Sequence, residues 1–295
     1  MLYLAGIFFF VCCLVGILLL LCRQIGYLVL YLGFKKRIEP TESQKDYSFV
    51  VENSMNKIER FIGEDDNRRK IYLFQNDNKS LVVFSMGYGS FAPDYKQTIT
   101  SLVKAGYDVL TFDAKAHGES GGKSPLGYPQ FVLDLKSVIE TIDCGYSRVM
   151  LLGHSIGAYA VLSYLKDVDT RIKAVAAVAP VNRGDVFAIS VYERFPCIFT
   201  KQMVIGAQKY ERKRFGQLSD LSAVDGVNST DIPVLILQGD QDELVFINTC
   251  SMVKYKDKLR KQNVDIKVVK DGKHDLLKEN DVNQIIIDFF NRYQI

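Results

Sequence analysis

The sequence predicts an α/β fold, in which a mainly parallel sheet is covered by helices on both faces. Short apolar runs rich in β-branched residues alternate with stretches of helical periodicity, and this alternation is typical of parallel strands joined by crossover helices. Most of the apolar runs are also hydrophobic enough to be buried on both faces, as the central strands of such a sheet are.

Seven runs are predicted as strands: 70–74, 81–85, 107–112, 148–152, 174–179, 234–237 and 264–269. Five stretches between and after them are predicted as helices: 95–104, 131–142, 158–165, 249–261 and 282–293.

One interval breaks the alternation, because about fifty residues separate the end of the fifth strand from the start of the sixth. Within it, apolar residues recur at helical spacing, at Phe187, Val191, Phe195, Ile198 and Phe199. The interval therefore predicts a helical insertion over 181–232, placed as a lid over the carboxyl edge of the sheet. Its apolar side chains either pack the core of the insertion or line a substrate channel, and the sequence leaves both open.

The N-terminal end has the composition of a membrane anchor. Residues 2–21 carry no charge and are dominated by Leu, Ile, Phe and Val, and a helix of about twenty residues crosses about 30 Å of hydrocarbon. A cleaved secretory signal is the alternative, but such a signal has basic residues before its apolar stretch, whereas here they follow it. We therefore expect an uncleaved, single-pass transmembrane helix.

Basic residues collect on the C-terminal side of this helix. Arg23 follows the apolar run, a second apolar stretch spans 25–34, and Lys35, Lys36 and Arg37 close it. By the positive-inside rule, this collar predicts that the C-terminal domain lies in the cytoplasm.

The chain is therefore divided into an anchor at 1–37, a linker leading into the domain at 38–69, and a domain whose core, 70–180 and 233–295, is interrupted by the lid.

Charge and cysteine spacing exclude several classes of function. The net charge of +3 divides into +4 for residues 1–37, which hold four basic residues and no acid, and −1 for the rest. The balanced domain gives no support to nucleic-acid binding. The six cysteines show neither disulfide nor metal-ligand spacing, so no metal or cofactor is expected.

The pentapeptide Gly153-His154-Ser155-Ile156-Gly157 lies where a strand-like run meets a helix-like run. A G-x-S-x-G sequence in this setting indicates a sharp strand-to-helix turn that lifts the serine hydroxyl clear of the sheet. The flanking glycines are needed because a Cβ there would meet neighbouring backbone. Ser155 is therefore the candidate nucleophile.

A serine nucleophile needs a base, and the chain offers only three histidines. His154 is poorly placed to act on its own neighbour and is expected to be a packed or solvated residue of the turn. His117 lies in a loop after a strand and is expected to order backbone near the site. His274 lies in a polar loop between the last strand and the last helix, from which a base can reach the turn.

A carboxylate is needed to orient the base, and the turn after the sixth strand offers Asp240 and Asp242. Both are expected at the carboxyl edge of the sheet, so position alone leaves them as alternatives.

From about residue 70 to its end the chain resembles the α/β-hydrolase fold, in particular the branch of monoacylglycerol lipases and related lid-bearing esterases. The resemblance rests on the order Ser, Asp, His and on the segments 84–89, 113–120, 153–157, 239–245 and 272–274. It implies Ser155 as nucleophile, His274 as general base and then acid, and Asp242 as the orienting carboxylate, since the family's acid usually stands three residues after a glycine, here Gly239. Asp240 is then expected to cap or order the turn.

The resemblance also implies an oxyanion hole made by the backbone N–H groups of Tyr88 and Ile156. The family often has His-Gly where this chain has Met86-Gly87, which leaves the loop's position and the substrate range open. The Tyr88 phenol is expected either to contact substrate or to be a rim aromatic without a specific role.

Together these features predict a membrane-anchored serine hydrolase that cleaves carboxylic esters through an acyl-serine intermediate and needs no cofactor. The anchor and the apolar lid favour a hydrophobic or lipid-like small-molecule substrate. Thioester or amide hydrolysis and acyl transfer use the same triad and stay open, and an inactive hydrolase-fold interaction protein is the rival from another class.

Overall fold

Eight strands form one sheet in the computed structural model, which describes residues 2–75, 78–142, 145–260, 262–278 and 280–293. The strand order is β1-β2-β4-β3-β5-β6-β7-β8, with β2 antiparallel to both of its neighbours and every other pair parallel. The strands are β1 Asn56–Ile62, β2 Arg69–Gln75, β3 Ser80–Ser85, β4 Tyr107–Phe112, β5 Arg148–His154, β6 Ile172–Val178, β7 Val234–Gly239 and β8 Val264–Val269. The predicted fold class is thereby confirmed.

Helices cover both faces of the sheet, as predicted. The helices are α1 Leu2–Phe34, α2 Ser48–Glu52, α3 Lys96–Lys104, α4 Tyr128–Ile139, α5 Ile156–Tyr164, α6 Val186–Arg194, α7 Ile198–Phe215, α8 Ala223–Asn228 and α9 Asn280–Asn291. α3 and α9 pack on one face and α4, α5 and α8 on the other. Side chains alternate along a strand. Val82 of β3 therefore packs in the core beneath α3 and α9, and Val83 packs in the core beneath α4, α5 and α8.

The segment 38–69, predicted as a linker leading into the domain, contains regular elements of the folded structure. It contains the edge strand β1, whose three charged residues and largely exposed side chains gave no strand signal. Ile38 also pairs with the loop after β4: its N–H donates to Ala116 O at 2.8 Å, and Gly118 N–H donates to Ile38 O at 3.0 Å.

The predicted helix at 249–261 is wrong in type, because the structure has a 3₁₀ run at Met252–Lys258, and residue 261 lies outside the described residues. Within that run only Met252 is buried. A segment without a wide apolar face gains little tertiary support for an α-helix.

The two N-terminal apolar stretches form one continuous helix, α1. Its mean hydropathy over the most apolar window is 3.0, so it is long and apolar enough to cross a membrane. A signal sequence near the N-terminus meets the same criterion. The side chains of residues 3–15 are exposed, whereas Gly26, Leu30 and Phe34 are buried against the domain. α1 is therefore a projecting helix whose last third belongs to the folded domain.

The predicted insertion is helical and consists of α6, α7, a 3₁₀ turn and α8. Phe195 and Ile198, expected in a core or a channel, are instead 68% and 56% exposed. The side chain of Phe187 lies outside the described residues.

Candidate active site

Ser155 stands on a strained turn between β5 and α5. Its backbone has φ 56° and ψ −120°, a conformation that a residue with a side chain rarely adopts. A Cβ on Gly153 would lie 2.5 Å from Gly157 O, and one on Gly157 would lie 2.0 Å from Ser85 O. The two glycines therefore allow the close approach of strand and helix that the sequence predicts, and Ser155 is left partly exposed.

Asp242 and His274 lie together on neighbouring loops after β7 and β8. His274 Nδ1 is 2.9 Å from Asp242 Oδ2, and the side chain of Asp242 is fully buried. The other carboxylate oxygen accepts the backbone N–H groups of Leu244 at 2.9 Å and Val245 at 2.8 Å. Burial raises the pKa of Asp242, but the hydrogen bonds from His274 and these two amides outweigh it and lower the pKa overall.

Asp240, the other candidate carboxylate, is exposed. The structure therefore pairs the predicted base with the predicted acid, and an ionised Asp242 holds the imidazole with Nδ1–H donated and Nε2 available.

Gln238, which was not among the predicted site residues, fixes the position of Asp242. Its amide nitrogen lies 3.0 Å from Asp242 Oδ2 and 3.1 Å from Val245 O, and its amide oxygen accepts the Ser251 hydroxyl at 2.7 Å. Gln238 is fully buried in β7. A glutamine at the end of an otherwise apolar strand-like run was the sequence signal that could have identified it.

His154 is buried and links the nucleophile turn to the base. Its Nε2 lies 3.0 Å from His274 O and its Nδ1 2.8 Å from the Tyr95 hydroxyl. Because a carbonyl only accepts, Nε2–H donates to His274 and Nδ1 accepts from Tyr95. Burial lowers the pKa of His154 to about 4, which keeps the ring neutral at physiological pH.

The Tyr95 hydroxyl also accepts the Gly87 N–H at 3.0 Å. A chain of hydrogen bonds, here called the Tyr95–His154 relay, thus runs from Gly87 through Tyr95 and His154 to the backbone of His274. The expectation that His154 is a packed residue is confirmed, and the relay itself was not predicted.

The two predicted oxyanion donors lie on the elements that flank Ser155. Ile156 is the first residue of α5, so its N–H has no acceptor within the helix and lies at the positive end of the helix dipole. Tyr88 follows Gly87 in the loop after β3, and the described contacts give its N–H no acceptor.

His117 orders the loop that carries Tyr88, as expected. Its Nδ1 lies 3.0 Å from Lys115 O, and its Nε2 accepts the Gly89 N–H at 3.2 Å. Burial lowers the pKa of His117, which favours the neutral ring that this bonding requires.

The Tyr88 side chain faces α1. Its hydroxyl donates to Gly33 O at 2.5 Å, and its ring packs edge-on against Phe34 at a centroid distance of 5.3 Å. Neither expectation for the phenol anticipated this contact, because sequence periodicity does not show where a separate helix will dock.

Comparison with known proteins agrees with the fold. The model of a family described as serine aminopeptidase, S33, matches residues 76–209, a little under half of the chain. An esterase from Pyrococcus furiosus superimposes with a TM-score of 0.66 at 22% identity, covering 88% of this chain and 99% of that chain. A putative hydrolase from Agrobacterium vitis S4 has a TM-score of 0.56 at 18% identity, covering 81% and 98%. Est1E from Butyrivibrio proteoclasticus has a TM-score of 0.58 at 17% identity, covering 80% and 98%.

The family match includes the Ser155 turn and ends before Asp242 and His274. The structural matches extend over most of the chain and superimpose on it at low identity, which is the relation expected within one fold. Together with the parallel sheet and the strained serine turn, they show that this chain has the α/β-hydrolase fold.

Proposed function

We propose that the protein is a membrane-anchored serine hydrolase that cleaves carboxylic esters of apolar acyl groups. The observation that carries the proposal is the pairing of His274 with buried Asp242 beside a strained, partly exposed Ser155. A serine held at φ 56° costs stability of order 1–3 kcal/mol, and backbone strain of this kind is typical of catalytic turns.

In the proposed reaction His274 Nε2 takes the Ser155 proton as Oγ attacks the ester carbonyl. The tetrahedral oxyanion accepts the N–H groups of Ile156 and Tyr88. His274 then gives its proton to the leaving alcohol, and the same base activates water to release the acid from Ser155. In the described structure no hydrogen bond joins Ser155 to His274, so their approach on substrate binding is part of the proposal.

The last third of α1 favours an uncleaved anchor over a signal sequence. Gly26 lies against the Met203 backbone of α7, Tyr27 packs edge-on against Tyr210, and Gly33 accepts the Tyr88 hydroxyl. Removing the helix would expose these surfaces. An anchor whose end contacts the oxyanion loop also supports a substrate that reaches the site from the bilayer. The basic residues after the apolar run support a position of the domain on the cytoplasmic side.

Fluorophosphonate labelling of membranes that contain the full chain tests the enzyme proposal. We expect the wild type to label, Ser155→Ala and His274→Ala to lose labelling, and Ser101→Ala, a change on α3 away from the site, to keep it. A wild type that is folded but unlabelled would instead support an inactive hydrolase-fold interaction protein.

Turnover of esters with increasing acyl length tests the substrate class. We expect kcat/KM to rise with acyl length in detergent or bilayers, because each buried CH₂ contributes about 0.8 kcal/mol. A clear preference for short, soluble esters would count against a lipid-like substrate.

Amide hydrolysis is the second candidate, because the matching family is described as a serine aminopeptidase. Comparing an aminoacyl anilide with an ester of the same acyl group separates the two. The ester proposal fails if the anilide is turned over faster.

A further inference from the structure

A cavity of about 550 Å³ lies at the crossing of α1 and α7, apart from the candidate active site. Five of its lining residues are basic, and Asp220 is its single acidic lining residue among those described. The basic residues are Arg23, Arg183, Lys209, Arg212 and Lys213.

The two helices that meet at the cavity are in close backbone contact. A Cβ on Gly26 would lie 1.9 Å from Met203 O, and one on Gly206 would lie 1.9 Å from Arg23 O. The helices therefore touch along their backbones, and Arg23 is fixed where α1 meets α7.

The positive charge of the cavity is only partly neutralised within the protein. Asp220 accepts Arg212 at 2.8 and 2.9 Å, and Arg183 Nε lies 3.6 Å from Asp185 Oδ1, beyond hydrogen-bond distance. The described contacts give Lys209 and Lys213 no carboxylate partner. The Arg23 and Arg183 Nε atoms are buried and have no hydrogen-bond partner among the described residues. Buried donors of this kind are usually satisfied.

The place of the cavity along α1 gives it a position relative to a bilayer. The length of α1 before Arg23 is about 31 Å at 1.5 Å per residue, close to the thickness of a hydrocarbon core. Arg23 is the first charged residue of the chain. If α1 spans the bilayer, the cavity opens at the depth of the lipid phosphates.

We propose that this cavity binds a phosphate group, carried by an anionic lipid headgroup or by a soluble phosphate ester. Arginine forks with flanking lysines are the donors that recognise phosphate, and each basic residue near an anionic membrane surface strengthens its attraction. The inference is independent of the ester chemistry proposed for Ser155.

Native mass spectrometry of the full chain in uncharged detergent tests the site. Phosphatidic acid is the anionic probe and phosphatidylcholine the zwitterionic one. We expect selective retention of phosphatidic acid, weakened about tenfold or more in Lys209→Gln/Lys213→Gln, because two cations are removed. Both lysines are exposed, so the variant is expected to fold. A thermal unfolding midpoint matching that of the wild type checks this.

Lys35→Gln/Lys36→Gln is the matched control, since it removes two exposed charges from the same end of α1. We expect it to retain phosphatidic acid within about twofold of the wild type. Equal losses in the two double variants would show diffuse attraction and overturn the site, and so would wild-type binding by the cavity variant.

Competition by glycerol 3-phosphate identifies the source of the phosphate. Displacement of the lipid means that the cavity takes the phosphate group from soluble esters as well as from lipids. A loss confined to the cavity variant without such displacement means that the ligand is a lipid headgroup that needs its acyl chains.

Discussion

Replacement of Tyr95 by phenylalanine removes one oxygen atom from the centre of the Tyr95–His154 relay. That hydroxyl accepts the Gly87 N–H at 3.0 Å and lies 2.8 Å from His154 Nδ1. Tyr95, Gly87 and His154 are all buried. The ring itself, packed 4.8 Å edge-on against Phe84, stays in place.

The cost follows from the two polar groups that lose their partner. Each buried, unsatisfied group costs about 1–3 kcal/mol, so the loss of a partner by two groups is expected to destabilise the Tyr95→Phe variant by about 2–6 kcal/mol. In a domain of this size that corresponds to a fall of roughly 4–24 °C in Tm. Because Gly87 precedes Tyr88 and His154 holds the His274 carbonyl, kcat should also fall, by about tenfold, with little change in KM.

Tyr107→Phe is the control for the loss of a buried tyrosine hydroxyl. The Tyr107 hydroxyl donates to Asn291 Oδ1 at 2.9 Å, far from Ser155, and Asn291 is exposed to solvent. We expect a smaller loss of stability and an unchanged kcat. Thermal unfolding and ester turnover on the full-length proteins make the comparison. The role of the relay is refuted if Tyr95→Phe keeps kcat, or if both variants lose the same stability.

Three further predictions concern a buried carboxyl, the helix contact and the acid of the proposed triad. Burial raises the pKa of Glu211 to about 8, so the folded state binds its proton more tightly, and stability is lost as pH rises from about 4.5 to 8. Glu211→Gln should therefore stabilise the protein by about 3 kcal/mol at pH 7 and by little at pH 4.5, and an equal gain at both pH values in thermal unfolding would contradict this. Gly26→Ala should lower stability by about 1–3 kcal/mol by pushing α1 from α7, whereas Gly33→Ala, with nothing within 4 Å of its added Cβ, should not; equal effects on Tm would be evidence against the packing. Asp242→Asn should reduce kcat by about 10⁴-fold and Asp240→Asn by less than about twofold, an expectation that fails if the two losses are alike in an ester assay.

The central strands and the order of the chemical groups could be predicted from sequence because both depend on local patterns. β3, β5 and β7 bury nearly every side chain, so their composition is constrained residue by residue. The turn at Ser155 needs glycines at fixed positions, and the loops after β7 and β8 must carry the remaining groups once the sheet is parallel.

The features that sequence did not predict depend on contacts between distant segments. β1 is an exposed edge strand with no apolar alternation, and it is held by pairing with β2. Likewise Gln238 and Tyr95 are ordinary residues in the sequence and gain their importance from three-dimensional partners more than a turn away. Pairwise packing of this kind leaves no periodic signal.

The contacts of α1 bear most directly on how a membrane-bound substrate would meet the site. The Gly33 carbonyl accepts the Tyr88 hydroxyl in the loop after β3, and the Arg37 guanidinium donates to Ser120 O at 2.8 Å and Gly122 O at 3.0 Å in the loop after β4. An anchor tethered by a flexible linker would leave the domain free to rotate above the bilayer. Here the helix end is tied to the loops after β3 and β4. If α1 spans a bilayer as proposed, the candidate site would keep one orientation to the membrane, and this would favour transfer of an apolar substrate from the lipid phase over capture from water.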